Sequence, residues 1–241
     1  MGRLVAGAVA TASDLELIAA YDPGHHGDAV SGLTITDDPK AVSDATVVVE
    51  FTTPAVVMDN LAAWRAAGVN AVVGTSGFDA ERLAALRTAW GSGPPNCLVV
   101  PNFSIGAVLM MRFAELAAPH FAASEIVELH HDQKVDAPSG TALGTAARIV
   151  AAGGRQERRV ESTEAVAGVR GGDVGVPVHS IRLPGLLAHQ EVLFGTAGET
   201  LTIRHDSTDR VSFLPGVLLA VRGVGGLGQP VTVGLDGLLG L

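Results

Sequence analysis

From residue 1 to residue 101, short runs of β-branched and apolar residues alternate with Ala-rich stretches whose apolar positions recur every three or four residues. The runs at 15–21, 46–51, 69–74 and 97–101 read as strands. Between the second and third, Pro54 opens a helical stretch that places Val57, Leu61 and Trp64 on one face, and Gly68 closes it. A similar helix from about Asp79 to Trp90 carries Leu83, Leu86 and Trp90 on one side and ends in the turn-rich residues 91–96. Such alternation builds a parallel sheet covered on both faces by crossover helices.

Beyond Asn102 the texture changes. One long helical stretch runs through Met110 and Leu116, followed by strand-like runs at 125–131, 177–183, 189–194 and 200–205. Pro184-Gly185 and Ala197-Gly198 each read as a turn between neighbouring antiparallel strands, so this half is expected to be an open mixed sheet with helices on one face. Residues 153–175, rich in Gly, Arg and Glu, read as a mobile surface loop. Residues 214–224 are helical and 231–235 are strand-like, which suits a return to the first sheet. The pattern therefore predicts an α/β domain from 1–102 with 213–241, and an α+β domain from 103–212.

Leu4, Val5, Ala8, Val9 and Ala12 fall at helical spacing, so the chain opens within a helix. Asp22 stands twenty residues after Gly2, the separation between the last glycine of a dinucleotide-binding turn and the acid that binds the ribose. An N-terminal helix followed by an acidic loop residue fits that spacing as well. In an open parallel sheet, ligands bind beyond the carboxyl ends of the strands. Glu50-Phe51-Thr52-Thr53-Pro54, Gly74-Thr75-Ser76-Gly77 and Pro101-Asn102-Phe103-Ser104 stand at three such ends, with small or amide-bearing residues that let a flat ring and a ribose approach backbone. Each is also compatible with an ordinary turn or helix cap.

Composition narrows the class. Apolar residues make up 47% of the chain and charged residues 17%, which excludes an intrinsically disordered protein. Asp plus Glu number 25 against 16 Lys plus Arg, and a formal charge of −9 argues against binding nucleic acid, which needs a basic face. The single cysteine, Cys97, cannot form an internal disulfide, and no basic segment followed by an apolar stretch opens the chain, so the expected compartment is the cytoplasm. The apolar runs are broken by Gly, Pro or charge before the ~20 residues a membrane helix needs.

Reactive groups concentrate in one stretch, His130-His131-Asp132-Gln133-Lys134-Val135-Asp136-Ala137-Pro138-Ser139-Gly140-Thr141, between an apolar strand and an Ala-rich helix. His130 and His131 face one ligand together only if the strand ends between them. Lys134 is one of two lysines, the other being Lys40, in a chain that otherwise takes its positive charge from Arg. Ser139, Gly140 and Thr141 fall where the helix begins, and a helix start offers unpaired N–H groups and partial positive charge to an anion. With Lys134 and an imidazole that titrates near neutrality, the stretch describes a carboxylate pocket equipped for proton transfer. The competing readings are a simple Ser139 cap, or a metal site made from the histidines with Asp132 and Asp136.

The run from Glu128-Leu129-His130-His131 through Lys134-Val135-Asp136-Ala137-Pro138-Ser139-Gly140-Thr141-Ala142 resembles the dihydrodipicolinate reductases, also called 4-hydroxy-tetrahydrodipicolinate reductases, and their actinobacterial members most. Val100 to Gly106, Gly74 to Phe78 and residues 189–215 extend the resemblance over nearly the whole chain. It implies a Rossmann-like cofactor domain, a second domain for substrate binding and oligomerisation, and a homotetramer. It implies reduction of 4-hydroxy-tetrahydrodipicolinate, a dicarboxylate, to tetrahydrodipicolinate by NADH or NADPH in the diaminopimelate route to lysine. Carried over by position, His130 is the general acid, Lys134 a proton donor and substrate ligand, His131 a substrate contact, and Ser139, Gly140 and Thr141 the carboxylate niche. Asp22 is assigned to the adenosine ribose, with a preference for NADH. Phe51 joins the cofactor residues, Gly74, Thr75 and Ser76 contact the nicotinamide end, and Val100, Pro101, Asn102 and Phe103 lie on the hinge side.

The same resemblance marks departures. Met1-Gly2-Arg3 matches only the tail of the family's glycine-rich loop, so the chain is expected to start about a dozen residues late. Gln133 replaces a frequent third histidine, and Glu50 stands where Asp is usual. The alternatives are a nucleotide- or carboxylate-binding protein that has lost catalysis with its first strand, and a reductase of another imine, similar to aspartate dehydrogenase.

Overall fold

Residues 1–157 and 163–241 are described in the computed structural model, and they divide into two units, Met1–Phe103 with Phe213–Leu241, and Ser104–Ser212. The first unit opens with α1 (Gly2–Thr11), which turns Val5, Ala6 and Val9 inward. A small antiparallel hairpin of β1 (Ala29–Val30) and β2 (Leu33–Thr34) follows. Then β3 (Val47–Glu50), α2 (Val57–Ala66), β4 (Asn70–Val73), α3 (Ala80–Trp90) and β5 (Cys97–Val99) alternate as the pattern predicts. Asp79 caps α3 by accepting the N–H of Arg82 at 2.8 Å. The helix α2 begins at Val57, whose N–H bonds to Thr53 O, rather than at Pro54.

Residues 15–21 do not form the expected strand. Only Tyr21 bridges to Thr36, and β3 pairs with β4 alone. Alternating apolar residues make a segment eligible for a sheet, but a strand exists only where a neighbour exchanges hydrogen bonds with it. Leu17 and Ala20 instead pack on a small cluster of Ala6, Val30 and Ile35.

The second unit contains α4 (Ile105–Ala117), β6 (Ala123–His130), α5 (Gly140–Ala151), β7 (Gly172–Asp173), β8 (Pro177–Arg182), β9 (Ala188–Thr196) and β10 (Glu199–Ser207). Its sheet runs in the order β10-β9-β6-β8-β7, with β6 parallel to β8 and antiparallel to β9. Along β6, Ser124, Ile126 and Glu128 are buried in alternation, the period of a strand with one covered face.

Two expectations change here. The turn at Pro184-Gly185 does not join neighbours, because β6 lies between β8 and β9 and satisfies both. Crossing two strand spacings, roughly 10 Å, is easy for the short connection between them. The region 153–175 is not all loop. Gly172 and Asp173 pair with Val178 and Pro177, while residues 158–162 of that expected loop lie outside the described residues. Ala197-Gly198 does link the neighbours β9 and β10.

The chain then returns to the first unit through α6 (Leu214–Gly223), β11 (Val231–Val233) and α7 (Asp236–Leu239). There β11 pairs parallel with β5, giving a four-stranded sheet in the order β11-β5-β4-β3. Ala71, Val72 and Val73 of β4 are fully buried, as both-faced covering requires. Val57, Leu61 and Trp64 of α2 and Leu86 and Trp90 of α3 pack with Ala71, Val73, Cys97 and Val99. Each Val or Leu among them contributes ~1.5–3 kcal/mol by leaving water. Burial pushes the Cys97 thiol up to about 12, so it behaves as a small apolar residue. Among the described residues, no helix is long and apolar enough to cross a membrane.

Candidate active site

In the second unit, β6 ends at His130, between the two histidines. Period-two alternation puts Glu128 on the same face as His130, and the carboxylate is fully buried. Its Oε2 lies 2.5 Å from His130 Nδ1. Arg182, opposite His130 in the β6–β8 register, donates Nη2 to Glu128 Oε1 at 2.8 Å and Nη1 to Oε2 at 2.9 Å. The N–H of Ser139 donates to Glu128 Oε1 at 3.2 Å. One carboxylate thus joins an imidazole, a guanidinium and the start of a helix.

Burial works to raise the Glu128 carboxyl, but hydrogen bonds from His130, Arg182 and Ser180 outweigh it and bring it down to about 2. Glu128 is therefore an anion in a dry setting. Arg182 also donates Nη2 to the carbonyl of Asp136 at 2.6 Å, and Lys134 Nζ donates to the two Asp136 carboxylate oxygens at 2.7 and 2.8 Å. The hydrogen bonds from Lys134 hold the Asp136 carboxyl below its usual range. A continuous chain of polar contacts so links Lys134, Asp136, Arg182, Glu128, His130 and Ser139.

Ser139 caps α5, its hydroxyl accepting the N–H of Ala142 at 3.2 Å. Gly140 and Thr141 are the first two residues of that helix. A Cβ added to Gly140 would meet nothing within 4 Å, so the protein's own packing does not demand glycine there. His131 lies just past the strand end, and its carbonyl accepts the N–H of Lys134 at 3.2 Å. Glu128 and Arg182 were not among the residues the sequence singled out for chemistry. The only signal for Glu128 was a carboxylate two positions before His130, and Arg182 arrives through strand pairing that the sequence does not encode locally.

The cofactor candidates fall in the first unit. β3, β4 and β5 are parallel with Glu50, Val73 and Val99 side by side, so Phe51, Gly74, Thr75, Ser76, Val100, Pro101, Asn102 and Phe103 follow adjacent strand ends. That row suits a dinucleotide lying across the carboxyl edge of a parallel sheet. Phe51 and Phe103 have ring centroids 5.5 Å apart, and a Cβ on Gly74 would sit 2.1 Å from Phe51 Cε1 and 2.7 Å from Phe103 Cε2. Glycine is required there by two aromatic rings. Thr75 is buried, and its hydroxyl donates to Glu50 O at 3.4 Å. Glu50 is buried too, and its carboxylate accepts from Trp64 Nε1 at 3.0 Å and from the hydroxyl of Thr52. Asp22 accepts the N–H of Gly24 at 2.9 Å and pairs with His25 Nδ1 at 2.8 Å.

Comparison with known proteins adds to this geometry. The family described as dihydrodipicolinate reductase, N-terminus, matches residues 1–103, and dihydrodipicolinate reductase, C-terminus, matches residues 106–239. The chain is 55% identical to the 4-hydroxy-tetrahydrodipicolinate reductase of Cutibacterium acnes, over 100% of this chain and 95% of that protein. It is 51% identical to that of Mycolicibacterium smegmatis with the same coverage. Among solved structures, dipicolinate-bound dihydrodipicolinate reductase from Paenisporosarcina sp. TG-14 superposes with a TM-score of 0.84 at 37% identity, covering 98% of this chain and 94% of that one. Aspartate dehydrogenase from Thermotoga maritima, at 14% identity and a TM-score of 0.51, shares the fold alone.

Proposed function

The chain belongs to the dihydrodipicolinate reductase family, and from that premise we propose how it works as a reductase. It reduces 4-hydroxy-tetrahydrodipicolinate to tetrahydrodipicolinate in the diaminopimelate route to lysine, consuming a reduced nicotinamide dinucleotide. By composition, the substrate sheds water, made of its hydroxyl and one of its own ring hydrogens, and gains a hydride and a proton on ring carbons. The nicotinamide, when bound, supplies the hydride.

His130 is the general acid that delivers the proton to the ring, and Lys134 binds a substrate carboxylate and assists proton delivery. Ser139, Gly140 and Thr141 receive the other carboxylate at the start of α5, where Gly140 leaves room for it, and His131 is a further substrate contact. The observation that carries this reading is the polar chain centred on Glu128, which ties the imidazole, the helix start and, through Asp136, the Lys134 ammonium into one assembly. Phe51, Gly74, Thr75, Ser76, Val100, Pro101, Asn102 and Phe103 hold the cofactor. Asp22 receives the adenosine ribose and favours NADH over NADPH, since a carboxylate repels a 2′-phosphate.

The working assembly is a homotetramer in the cytoplasm. Its support is the face of the second sheet opposite α4 and α5, which leaves Leu193 and Ile181 exposed in the middle of a folded domain. The test of the chemistry is His130→Gln. Acid catalysis is worth ~10²- to 10⁴-fold, so kcat is expected to fall by that order with KM little changed. A variant whose kcat stays within twofold of the wild type removes His130 from the acid role.

A further inference from the structure

We propose that Glu128, locked by Arg182, is a positioning residue that sets which nitrogen of His130 delivers the proton and aligns that acid with the carboxylate niche of α5. The inference rests on His130 as the acid of the proposed reduction. Glu128 is fully buried and His130 Nδ1 lies 2.5 Å from its Oε2. An ionised carboxylate accepts only, so Nδ1 carries a hydrogen in this contact and Nε2 is left as the nitrogen that hands over a proton. In the step itself, the Nε2–H bond breaks, its electron pair stays on the imidazole, and a C–H bond forms on the substrate as the hydride is taken up. The ring leaves the step neutral, with its Nδ1–H still donated to Glu128, so the contact survives turnover.

Arg182 is what keeps the carboxylate in this contact ionised. A buried carboxyl without a cation gains a proton, and the imidazole would then lose its counter-charge. The two bonds from Arg182, at 2.8 and 2.9 Å, keep Glu128 charged instead. The charged groups tied to His130 are Glu128 on its own strand and Arg182, opposite it on β8; Asp136 joins them only through its carbonyl on Arg182, and Lys134 through Asp136. From β9 the residue opposite His130 is Ala188, and the cap of α5, Ser139, meets Glu128 through its N–H; neither is charged. Ser139 N–H shares Oε1 with Arg182, so the helix start and the acid are referenced to the same carboxylate.

The experiment compares wild type, Glu128→Gln, Glu128→Asp and His130→Gln by steady-state reduction across pH and by calorimetric binding of dipicolinate, a stable planar dicarboxylate. Glu128→Gln is expected to lower kcat by about 10- to 100-fold, below the full value of the acid, while changing dipicolinate affinity by less than about threefold. Glu128→Asp recovers part of kcat. A folded Glu128→Gln with kcat within twofold of the wild type overturns the inference, as does a loss of dipicolinate binding that matches the loss in kcat. Where Glu128→Gln does not fold, Arg182→Lys keeps the charge balance but not the two-pronged grip, and an unaffected kcat in that variant overturns it equally. If His130→Gln retains wild-type kcat, the acid reading falls first and this inference with it. If only Glu128→Gln is silent, the acid reading stands alone.

Discussion

The ends of β3, β4 and β5 in the first unit and the end of β6 in the second both combine a buried glutamate with nearby small residues, yet the two glutamates are handled by different chemistry. Glu50 is held by neutral donors, the indole of Trp64, the hydroxyl of Thr52 and, at 3.4 Å, the amide of Asn60. Glu128 is held by a guanidinium, an imidazole and a backbone N–H. The first arrangement shapes a strand end; the second stores charge beside the proposed proton donor. A site that recognises a large flat cofactor is made from backbone and ring packing, whereas a site that transfers protons needs ionised groups fixed out of water.

The largest test of that contrast is acid stability. Glu128 folds with its carboxyl at about 2 against an ordinary 4.5, so its contribution is fully present above about pH 4.5 and is lost as pH falls through 2. The difference corresponds to about 3 kcal/mol. Urea unfolding of wild type and Glu128→Gln should therefore differ by that order near pH 7 and converge as pH approaches 2, where the wild-type carboxyl takes up its own proton. A gap that stays constant down to pH 2 would mean that the carboxyl's charge is not what stabilises the fold. The exposed Asp14–Arg222 pair of the first unit, at 2.7 Å, is the contrasting case, screened by solvent and of little consequence for stability.

A second test uses two glycines. Gly74→Ala drives a Cβ into the rings of Phe51 and Phe103, a clash expected to cost ~1–3 kcal/mol and to weaken cofactor binding by displacing those rings. Gly140→Ala meets open space and sits at a helix start, so its stability should hold or rise by ~0.5–1 kcal/mol. Its effect should fall on substrate instead, as a several-fold higher KM. Thermal unfolding and steady-state kinetics of the pair separate a glycine kept for packing from one kept for a ligand, and a Gly140→Ala with unchanged KM would move the carboxylate away from the start of α5.

What the sequence disclosed follows the same division. The alternation of apolar runs located β3, β4, β5 and the helices between them, because burial on both faces leaves a continuous apolar signature at each strand. It misled at 15–21, where the pattern is present and the pairing partner is not, and at Pro184-Gly185, where a turn signal says nothing about which strand lies alongside. The stretch from His130 to Thr141 was legible because its reactive groups are contiguous. Arg182 was not, since it lies 54 positions from Glu128 and reaches it only through the parallel pairing of β6 with β8. Glu128 was visible only as part of a motif, for a carboxylate buried on purpose and one left at the surface are written with the same letter.

The smallest expected effect concerns Asp136, which holds the Lys134 ammonium with both carboxylate oxygens at 2.7 and 2.8 Å. The Asp136 side chain is 61% exposed and that of Lys134 21%, so the pair lies at the rim of the polar chain rather than in its dry centre. A substrate carboxylate arriving at Lys134 competes with Asp136 for the same N–H donors. Replacing Asp136 by Asn keeps the backbone carbonyl that Arg182 uses at 2.6 Å and removes only the competing charge. Dipicolinate is expected to bind about two- to threefold more tightly to Asp136→Asn, the range an exposed pair of ~0.2–1 kcal/mol allows. kcat should not change, because Glu128, Arg182 and His130 keep their contacts. Weaker binding in Asp136→Asn would give the carboxylate the opposite role: it would be orienting Lys134 toward the substrate, and the rim of the site would then depend on fixed charge as much as its centre does.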